Sequence, residues 1–356
     1  MKYLKLKLTA LATSLFCLLT LIAPLAQSQG LIAEHVNNLN TLALSFVDLS
    51  QPMYAIKLQI MNEFLSQSAD PKLILLVTDD RDIKNLNSLI KSQNAKFDLN
   101  KIKFVKGEST FLSSPWMRDL SPMMILKKDG SQKLVTFKHI DASEMDYAVD
   151  QKSLAVALAV TNEKINLALP GGNIFSDELG RIYLSTAVIE NNAGPGADGA
   201  KLTATKNQIE NLLMAKMLAK EIVWIPRLNR EFETTGHVDM YIRLLKNKQA
   251  IVAKSNEPQI SKALDVIAKI IESKGFTVTR LQANSMMENK YRKQRIFPSY
   301  TNSILVGNSI FIPKFGVAED KVAVGTYQKL GYKVIQIDGE SIHFGGSVHC
   351  LTYLYP

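Results

Sequence analysis

The feature that most constrains the fold is a regular recurrence of short strand-like runs. Five runs rich in β-branched and aromatic residues occur along the chain: KIKFVK from Lys101, INLALP from Ile165, IVWIPR from Ile222, FTVTRL from Phe276 and YKVIQI from Tyr332. Their starts lie 64, 57, 54 and 56 residues apart. Such a spacing indicates repeated supersecondary units, each of which needs neighbours to cover its exposed faces.

Helical and hairpin patterns complete each unit. Apolar residues at i, i+3 and i+4 predict helices in 205–220, 258–275 and 318–331, each just before one of the last three runs. Hairpin-like pairs occupy 242–254 and 303–314, with Lys-Asn-Lys and Gly-Asn as their turns. We therefore predict an α/β fold of ββαβ units, five of which can close into a ring.

The first 28 residues have the pattern of a secretory signal peptide. Three lysines precede an apolar run, and Ala26 and Ser28 occupy the −3 and −1 positions of a cleavage site. The alternative is an uncleaved anchor, because the run from Leu8 is nearly long enough to span a bilayer. Residues 29–356 contain no linker and are predicted to form one catalytic domain. The expected location is the periplasm or the exterior of the cell.

The basic character of the chain carries little functional information. The formal net charge is +9, and removal of residues 1–28 would leave +6. The basic residues are dispersed, with only short clusters such as 246–248 and 291–295. Such a pattern is typical of a solvated surface, so we predict no nucleic-acid partner. A membrane partner is expected only if the first segment stays uncleaved.

Cleavage would also leave Cys350 as a lone thiol, because the other cysteine is Cys17. No intramolecular disulfide is then possible in a compartment that permits them. Cys350 lies in FGGSVHC (344–350), and each other strand-like run is also followed by a polar or glycine-containing segment. These segments are SSPWMRD (113–119), PGGN (170–173), TTGHVD (234–239) and SYTN (299–302). If the repeats surround an axis, the five segments meet at one end of it.

Together these segments contain the groups needed to attack a guanidinium. A reactive thiol needs a neighbour that lowers its pKa, and His237 is the best candidate, since an extended strand would turn His349 to the opposite side. Asp119 and Asp239 suit a planar cation, because each carboxylate can accept two parallel hydrogen bonds from it. Cys350 would attack the central carbon, while His237 would protonate the departing ammonia and then activate water. The product would be a ureido group.

Three of the segments resemble the signatures of the bacterial peptidylarginine deiminase and agmatine deiminase family, within the guanidine-modifying superfamily. They are WMRD (116–119), GHVD (236–239) and GGSVHCLT (345–352). The resemblance implies a five-bladed α/β propeller and a cysteine hydrolase that needs no metal or other cofactor. By matching position, it implies that the catalytic residues are Cys350, His237, Asp119 and Asp239.

Six further positions are predicted to bind substrate. The resemblance implies that Trp116 walls the pocket and that Asn302 corresponds to an active-site asparagine of the peptidylarginine branch. The complete predicted set is Trp116, Arg118, Gly172, Asn173, Asn302 and Gly346. The expected partner is an arginine-containing peptide or protein, or a small guanidine compound.

The tail of the substrate is the least constrained feature. Many relatives carry Glu-Gly-Gly where this chain has Pro170-Gly171-Gly172, and the missing glutamate, which helps to orient the catalytic histidine, favours peptidylarginine over agmatine. An arginine pair that grips a C-terminal carboxylate should fall in 137–150, which contains no arginine. The acids of that segment suit a distal amine instead; they are Asp141, Glu144, Asp146 and Asp150. We predict a peptidylarginine deiminase, with agmatine deiminase giving N-carbamoylputrescine as the alternative.

Three other hypotheses rank below these two. An amidinotransferase would use the same thiouronium intermediate but pass the amidino group to an amine. A non-catalytic protein would keep the pocket only to bind guanidines. A metal site would use the nitrogen, oxygen and sulfur ligands of His237, Asp239, His343 and Cys350.

Overall fold

The computed structural model describes residues 29–35, 39–46, 51–68, 70–77, 79–93, 99–106, 114–138, 151–194, 203–283, 286–291 and 295–356. The predicted signal segment and the acids at Asp141, Glu144, Asp146 and Asp150 lie outside these residues. Within the described part of the chain, none of the helices combines the length and the apolar character that crossing a bilayer requires.

The described residues form a mixed α/β fold. The strands are β1 Gly30–Leu31, β2 Thr41–Ser45, β3 Lys72–Val77, β4 Ile102–Lys106, β5 Met123–Leu126, β6 Gln132–Lys138, β7 Thr161–Ala168, β8 Ile174–Ser176, β9 Arg181–Ser185, β10 Glu221–Ile225, β11 Ile242–Leu245, β12 Gln249–Lys254, β13 Thr277–Gln282, β14 Met287–Glu288, β15 Arg295–Ile296, β16 Ile304–Val306, β17 Ser309–Lys314, β18 Lys333–Asp338 and β19 Thr352–Tyr355. The helices are α1 Gln51–Gln67, α2 Asp80–Gln93, α3 Met117–Leu120, α4 Gln151–Leu158, α5 Ala187–Asn191, α6 Lys206–Lys216, α7 Pro258–Ser273 and α8 Glu319–Lys329.

Five sheets among the described residues share one pairing pattern. Each starts with an antiparallel pair and continues with a parallel strand, in the sets β5-β6-β7, β8-β9-β10, β11-β12-β13, β16-β17-β18 and β19-β2-β3-β4. A parallel connection needs a crossover, and helices supply it, as α7 does between β12 and β13. The repeated unit predicted from the sequence is thus a real structural unit.

The sequence-based elements are found at the predicted places. The five strand-like runs are β4, β7, β10, β13 and β18, and each is the last strand of its sheet. The three predicted helices are α6, α7 and α8. Gly275 lies two residues after the end of α7 and Gly331 two residues after the end of α8, and their positive φ angles of 86° and 92° favour glycine. Asn247 and Lys248 turn the first predicted hairpin at φ of 57° and 53°.

An amphipathic helix packs against the sheet β11-β12-β13. In α7, Ile260, Leu264, Ile267 and Ile271 form one buried stripe, as the helical period requires. They belong to an apolar cluster that also contains Ala250 and Val252 of β12, and the same cluster reaches Cys350. The core that stabilises the units therefore also supports the site.

A glycine inside α8 gives a test of the helix assignment. Gly325 lies in the interior of this helix, and a Cβ added there would meet no atom within 4 Å. Because glycine costs about 0.5–1 kcal/mol relative to alanine in a helix, Gly325→Ala should raise the free energy of unfolding by that amount. Urea denaturation measures the change. A loss of stability would show that residue 325 does not lie in an open helical position.

Candidate active site

The candidate residues come from five equivalent places in the fold. Each segment lies immediately before the first strand of an antiparallel pair, where the chain enters a sheet. These places are α3 before β5, the 3₁₀ turn Gly171–Asn173 before β8, the 3₁₀ turn Val238–Met240 before β11, residues 299–303 before β16 and residues 345–351 before β19. The repeat therefore brings together residues that are distant in the sequence: Arg118 Nε donates to the carbonyl of His349, 231 positions further along the chain.

The thiol of Cys350 lies in a tight polar environment. It is 4% exposed, and its Sγ donates to Asp239 Oδ2 at 3.4 Å. Asn302 Nδ2 donates to the same sulfur at 3.0 Å. The amide oxygen of Asn302 in turn accepts from the backbone N–H groups of Ser347 and His349 at 3.1 and 3.0 Å. Asn302 thus fixes both the thiol and the turn that carries it.

This environment disfavours the thiolate in the free protein. Burial raises the pKa of Cys350 well above its ordinary value, and the carboxylates of Asp239 and Asp119 raise it further, against a smaller opposing effect of Asn302. A bound cation would offset both carboxylate charges. The resting site therefore holds a thiol, and a cationic ligand would favour its ionisation.

Asp119, His237 and Asp239 converge on the backbone of Gly172. His237 Nδ1 lies 3.7 Å from Asp119 Oδ1, which accepts the Gly172 N–H at 2.9 Å. A Cβ at position 172 would lie 2.6 Å from His237 Nδ1, 3.0 Å from Asp239 Oδ2 and 3.1 Å from Asp119 Oδ1. Only glycine fits between these three side chains.

A second glycine brings Trp116 close to the thiol. A Cβ at Gly346 would lie 2.8 Å from Trp116 Cζ3 and 3.0 Å from Cys350 Sγ. The indole ring therefore borders the thiol with no side chain between them. The structure thus places Trp116, Gly172, Asn302 and Gly346 beside the predicted catalytic residues.

Arg118 and Asn173 have different surroundings from those predicted. The Arg118 guanidinium is buried against Glu34 and lies over the Tyr353 ring, 4.5 Å from its centroid. The Asn173 amide oxygen accepts the Ser185 N–H at 3.1 Å. Arg118 is separated from the pocket because successive residues of the turn α3 point in different directions, so that Asp119 and Arg118 cannot face the same side. Both side chains therefore contact neighbouring protein groups: Arg118 pairs with Glu34, and Asn173 accepts from the backbone of Ser185.

The local conformations also differ from the extended strands that we predicted. His237 precedes a 3₁₀ turn, Val238–Met240, and this turn brings Asp239 into the site. Near Cys350, the Leu351 N–H donates to the Ser347 carbonyl at 3.0 Å, which marks a helical turn. The expectation that His349 faces away from the site is therefore wrong: its Nδ1 lies 2.7 Å from Asp239 Oδ2.

A buried charge network behind Asp239 escaped the sequence analysis. Glu34 forms ion pairs with Arg118 and with Arg243 Nη1, the latter at 3.1 Å, and its Oε2 lies 3.3 Å from His349 Nε2. Although burial opposes it, these cations hold the pKa of Glu34 well below its ordinary value. Glu34 lies outside the repeat, so no spacing could have indicated it.

The hypothesised metal site is not assembled. His343 Nδ1 accepts the backbone N–H of Lys290 at 3.3 Å, and this histidine lines a different cavity of about 520 Å³ with Lys314 and Asp338. Among the residues with described positions, no group of three or more histidine, cysteine and carboxylate side chains has an arrangement that could hold a metal ion.

A buried thiol between carboxylates and a histidine defines a cysteine hydrolase site for a cationic substrate. The family model described as Porphyromonas-type peptidyl-arginine deiminase matches residues 49–356. The chain therefore belongs to this family of guanidine-modifying enzymes, whose members hydrolyse C–N bonds of amidines.

Individual relatives show the same relationship. A Marinomonas sp. (strain MWYL1) protein, provisionally named agmatine deiminase, is 28% identical over 283 residues, which cover 68% of this chain and 73% of that protein. The structure of C. jejuni agmatine deiminase aligns with a TM-score of 0.71 at 21% identity, over 92% of this chain and 96% of that one. A variant of that enzyme with substrate bound gives 0.73 at 20% identity and the same coverage. These structures share the mixed α/β fold.

The crowding at Gly172 predicts the effect of one added methyl group. Gly172→Ala would push apart His237, Asp239 and Asp119, and displacements of this size cost at least about 100-fold in kcat/KM. Steady-state release of ammonia from a guanidine substrate measures the loss. Gly325→Ala is the matched control, since its new Cβ meets no neighbour. Full activity of Gly172→Ala would mean that the three side chains need not converge.

The raised pKa of Cys350 predicts its reactivity. Iodoacetamide should alkylate the thiol slowly at pH 7, and the rate should increase about tenfold per pH unit to above pH 9, because the folded state favours the protonated form. A cationic haloacetamidine should react faster at pH 7, since it offsets the carboxylate charges. Mass spectrometry of the modified peptide gives both rates, with Cys350→Ala as the blank. A rate that levels off below pH 8 would contradict the pKa shift.

Proposed function

We propose that the chain is an agmatine deiminase, which hydrolyses the guanidinium of agmatine to N-carbamoylputrescine and ammonia. The observation that carries the proposal is the buried thiol of Cys350 beside two carboxylates, an arrangement that suits a planar cation. The names of the relatives support the amine-tailed substrate. We therefore place agmatine ahead of peptidylarginine and reverse the order that we expected from the sequence.

The proposed mechanism gives each residue one role. Asp119 and Asp239 bind the guanidinium, whose charge lowers the pKa of Cys350, so that the thiol gives its proton to His237 and becomes a thiolate. The sulfur attacks the central carbon, and His237 protonates the leaving nitrogen, which departs as ammonia. His237 then takes a proton from water as the water attacks the thiouronium carbon. Collapse of this adduct breaks the C–S bond and releases the ureido product.

The tail of agmatine would meet a small cavity next to the site. This cavity of about 30 Å³ is lined mostly by apolar side chains and carries one ionisable residue, Glu233. The lining residues are Phe232, Glu233, Thr234, Met240, Ile296, Phe297, Ile342 and Gly345. Burial raises the pKa of Glu233, so its charge is costly in the free protein. An ammonium group at this place would offset that cost.

Peptidylarginine is the second candidate. The specific observation in its favour is Pro170, which occupies the position of a histidine-orienting glutamate in many relatives and supplies no carboxylate. The description of the matching family model also names peptidyl-arginine. The backbone of a peptide substrate would lie over the same cavity of about 30 Å³ that Glu233 lines.

Two wider proposals accompany this function. The five sheets would be blades of a propeller around the site, which the equivalent entry points of the five segments support. The enzyme would act in the periplasm or outside the cell, which residues 1–28 support.

A substrate series tests the proposal. Agmatine should exceed butylguanidine, which lacks the amine, by tenfold or more in kcat/KM, about 1.4 kcal/mol of transition-state preference. Glu233→Gln should reduce this ratio because it removes the negative charge, whereas the exposed neighbour Glu231→Gln should leave it unchanged. Ammonia and the ureido product are measured with no acceptor amine added. An amidinotransferase would need such an acceptor and would release no ammonia, so this measurement separates the two reactions. A larger kcat/KM for an internal-arginine peptide than for agmatine would favour the second candidate.

A further inference from the structure

We propose that His349 is a positioning residue that fixes Asp239 for guanidinium binding, and that Glu34 anchors His349 from behind. The inference rests on the proposed deiminase function, because it assigns Asp239 to the substrate. It gives a role to His349, which we expected to face away from the site, and to Glu34, which lies outside the repeat.

The geometry of His349 leaves it little freedom. The ring is fully buried, with Nδ1 2.7 Å from Asp239 Oδ2 and Nε2 3.3 Å from Glu34 Oε2. The Phe175 ring packs beside it at 5.4 Å between centroids, and Arg118 Nε donates to its carbonyl. An ionised carboxylate can only accept hydrogen bonds, so a ring nitrogen of His349 that bonds to either of these carboxylates does so by donating its N–H.

The contact with His349 divides the two oxygens of Asp239 between different tasks. Oδ2 accepts from His349 and from the thiol of Cys350. Oδ1 is buried and has no hydrogen-bond partner among the described residues. A buried acceptor without a partner is costly, and a guanidinium N–H would satisfy it. Oδ1 is thus the oxygen available to the substrate, which replaces the expectation that Asp239 offers both oxygens.

Glu34 supplies the rigid support for this arrangement. It pairs with Arg118 and Arg243, both almost fully buried, and these arginines arrive from two different units of the fold. Two arginines around one glutamate leave an excess of positive charge behind His349 and Asp239. This positive charge lies on the side from which His349 contacts the fully buried Asp239, where it offsets the cost of burying that carboxylate. The network therefore orients the carboxylate of Asp239.

Two amide substitutions separate the hydrogen bonds of His349. Asparagine places its N–H₂ near the position of Nδ1, so His349→Asn can still donate to Asp239, whereas glutamine places its N–H₂ near Nε2, so His349→Gln can donate only towards Glu34. We expect His349→Asn to keep kcat/KM for agmatine within about tenfold of the wild type. His349→Gln should lose at least about 100-fold. Equal losses in both variants, or no loss in His349→Gln, would overturn the proposal.

The control is another buried histidine with a carboxylate partner. His35 is 3% exposed, and its Nε2 lies 3.3 Å from Glu178 Oε2, the same distance as between His349 and Glu34. His35→Gln should lower thermal stability about as much as His349→Gln but leave kcat/KM unchanged. Loss of activity in His35→Gln would mean that general destabilisation explains the result.

A binding measurement separates this inference from the proposed function. In a Cys350→Ala background, calorimetry should show that agmatine binds at least tenfold more weakly after His349→Gln and nearly normally after His349→Asn. If the wild type turns over no guanidine compound, the proposed function fails. The inference is then judged by the rate ratio between a cationic haloacetamidine and iodoacetamide at Cys350. That ratio should fall in His349→Gln but not in His349→Asn, and an unchanged ratio would reject the inference.

Discussion

The pairing of β19 with β2 determines the position of the nucleophile. It joins the last strand of the chain to a strand near the start of the described residues, with Thr352 opposite Leu44 and Tyr355 opposite Thr41. Cys350 comes two residues before β19, and its carbonyl accepts the Arg118 N–H at 3.0 Å. The turn that carries the thiol is therefore anchored at two points, by the pairing of β19 with β2 and by the hydrogen bond between Arg118 and Cys350. The geometry of the site therefore depends on the addition of β19 to the sheet of β2, β3 and β4.

Charge burial is the second constraint. Asp239 is fully buried, and the thiol beside it is held in its neutral form by burial and by the two carboxylates. Burying an anion is costly unless cations or hydrogen bonds compensate for it, and here His349 and the arginines around Glu34 do so from one side. The other side is left for a cation from solution. The free protein is thus prepared electrostatically for a guanidinium.

The repeat made much of the fold predictable. The strand-like runs, the helices of the last three units and the turn at Asn247 all depend on local patterns, and the structure confirms them. The conformation around His349 was not predictable in this way, because a Gly-Gly-Ser segment is compatible with an extended chain or a helical turn. Arg118 was assigned to the pocket because it adjoins Asp119 in the sequence. The side chains of adjacent residues in a helical turn, however, point in different directions and do not face the same site.

Glu34 shows why the second layer of a site is the hardest part to find. A residue that contacts substrate must have a particular chemical type. When residues of that type occur at equivalent positions of a repeat, the sequence alone can identify them as site residues. Glu34 instead contacts three residues from different units, Arg118, Arg243 and His349, and only the folded chain brings them together. Its two oxygens are divided among these partners, just as Oδ2 of Asp239 contacts His349 while Oδ1 is buried with no hydrogen-bond partner among the described residues. The series of contacts from Glu34 through His349 and Asp239 to Cys350 therefore extends the site well beyond its signature motifs. It makes the orientation of one carboxylate depend on three units of the fold.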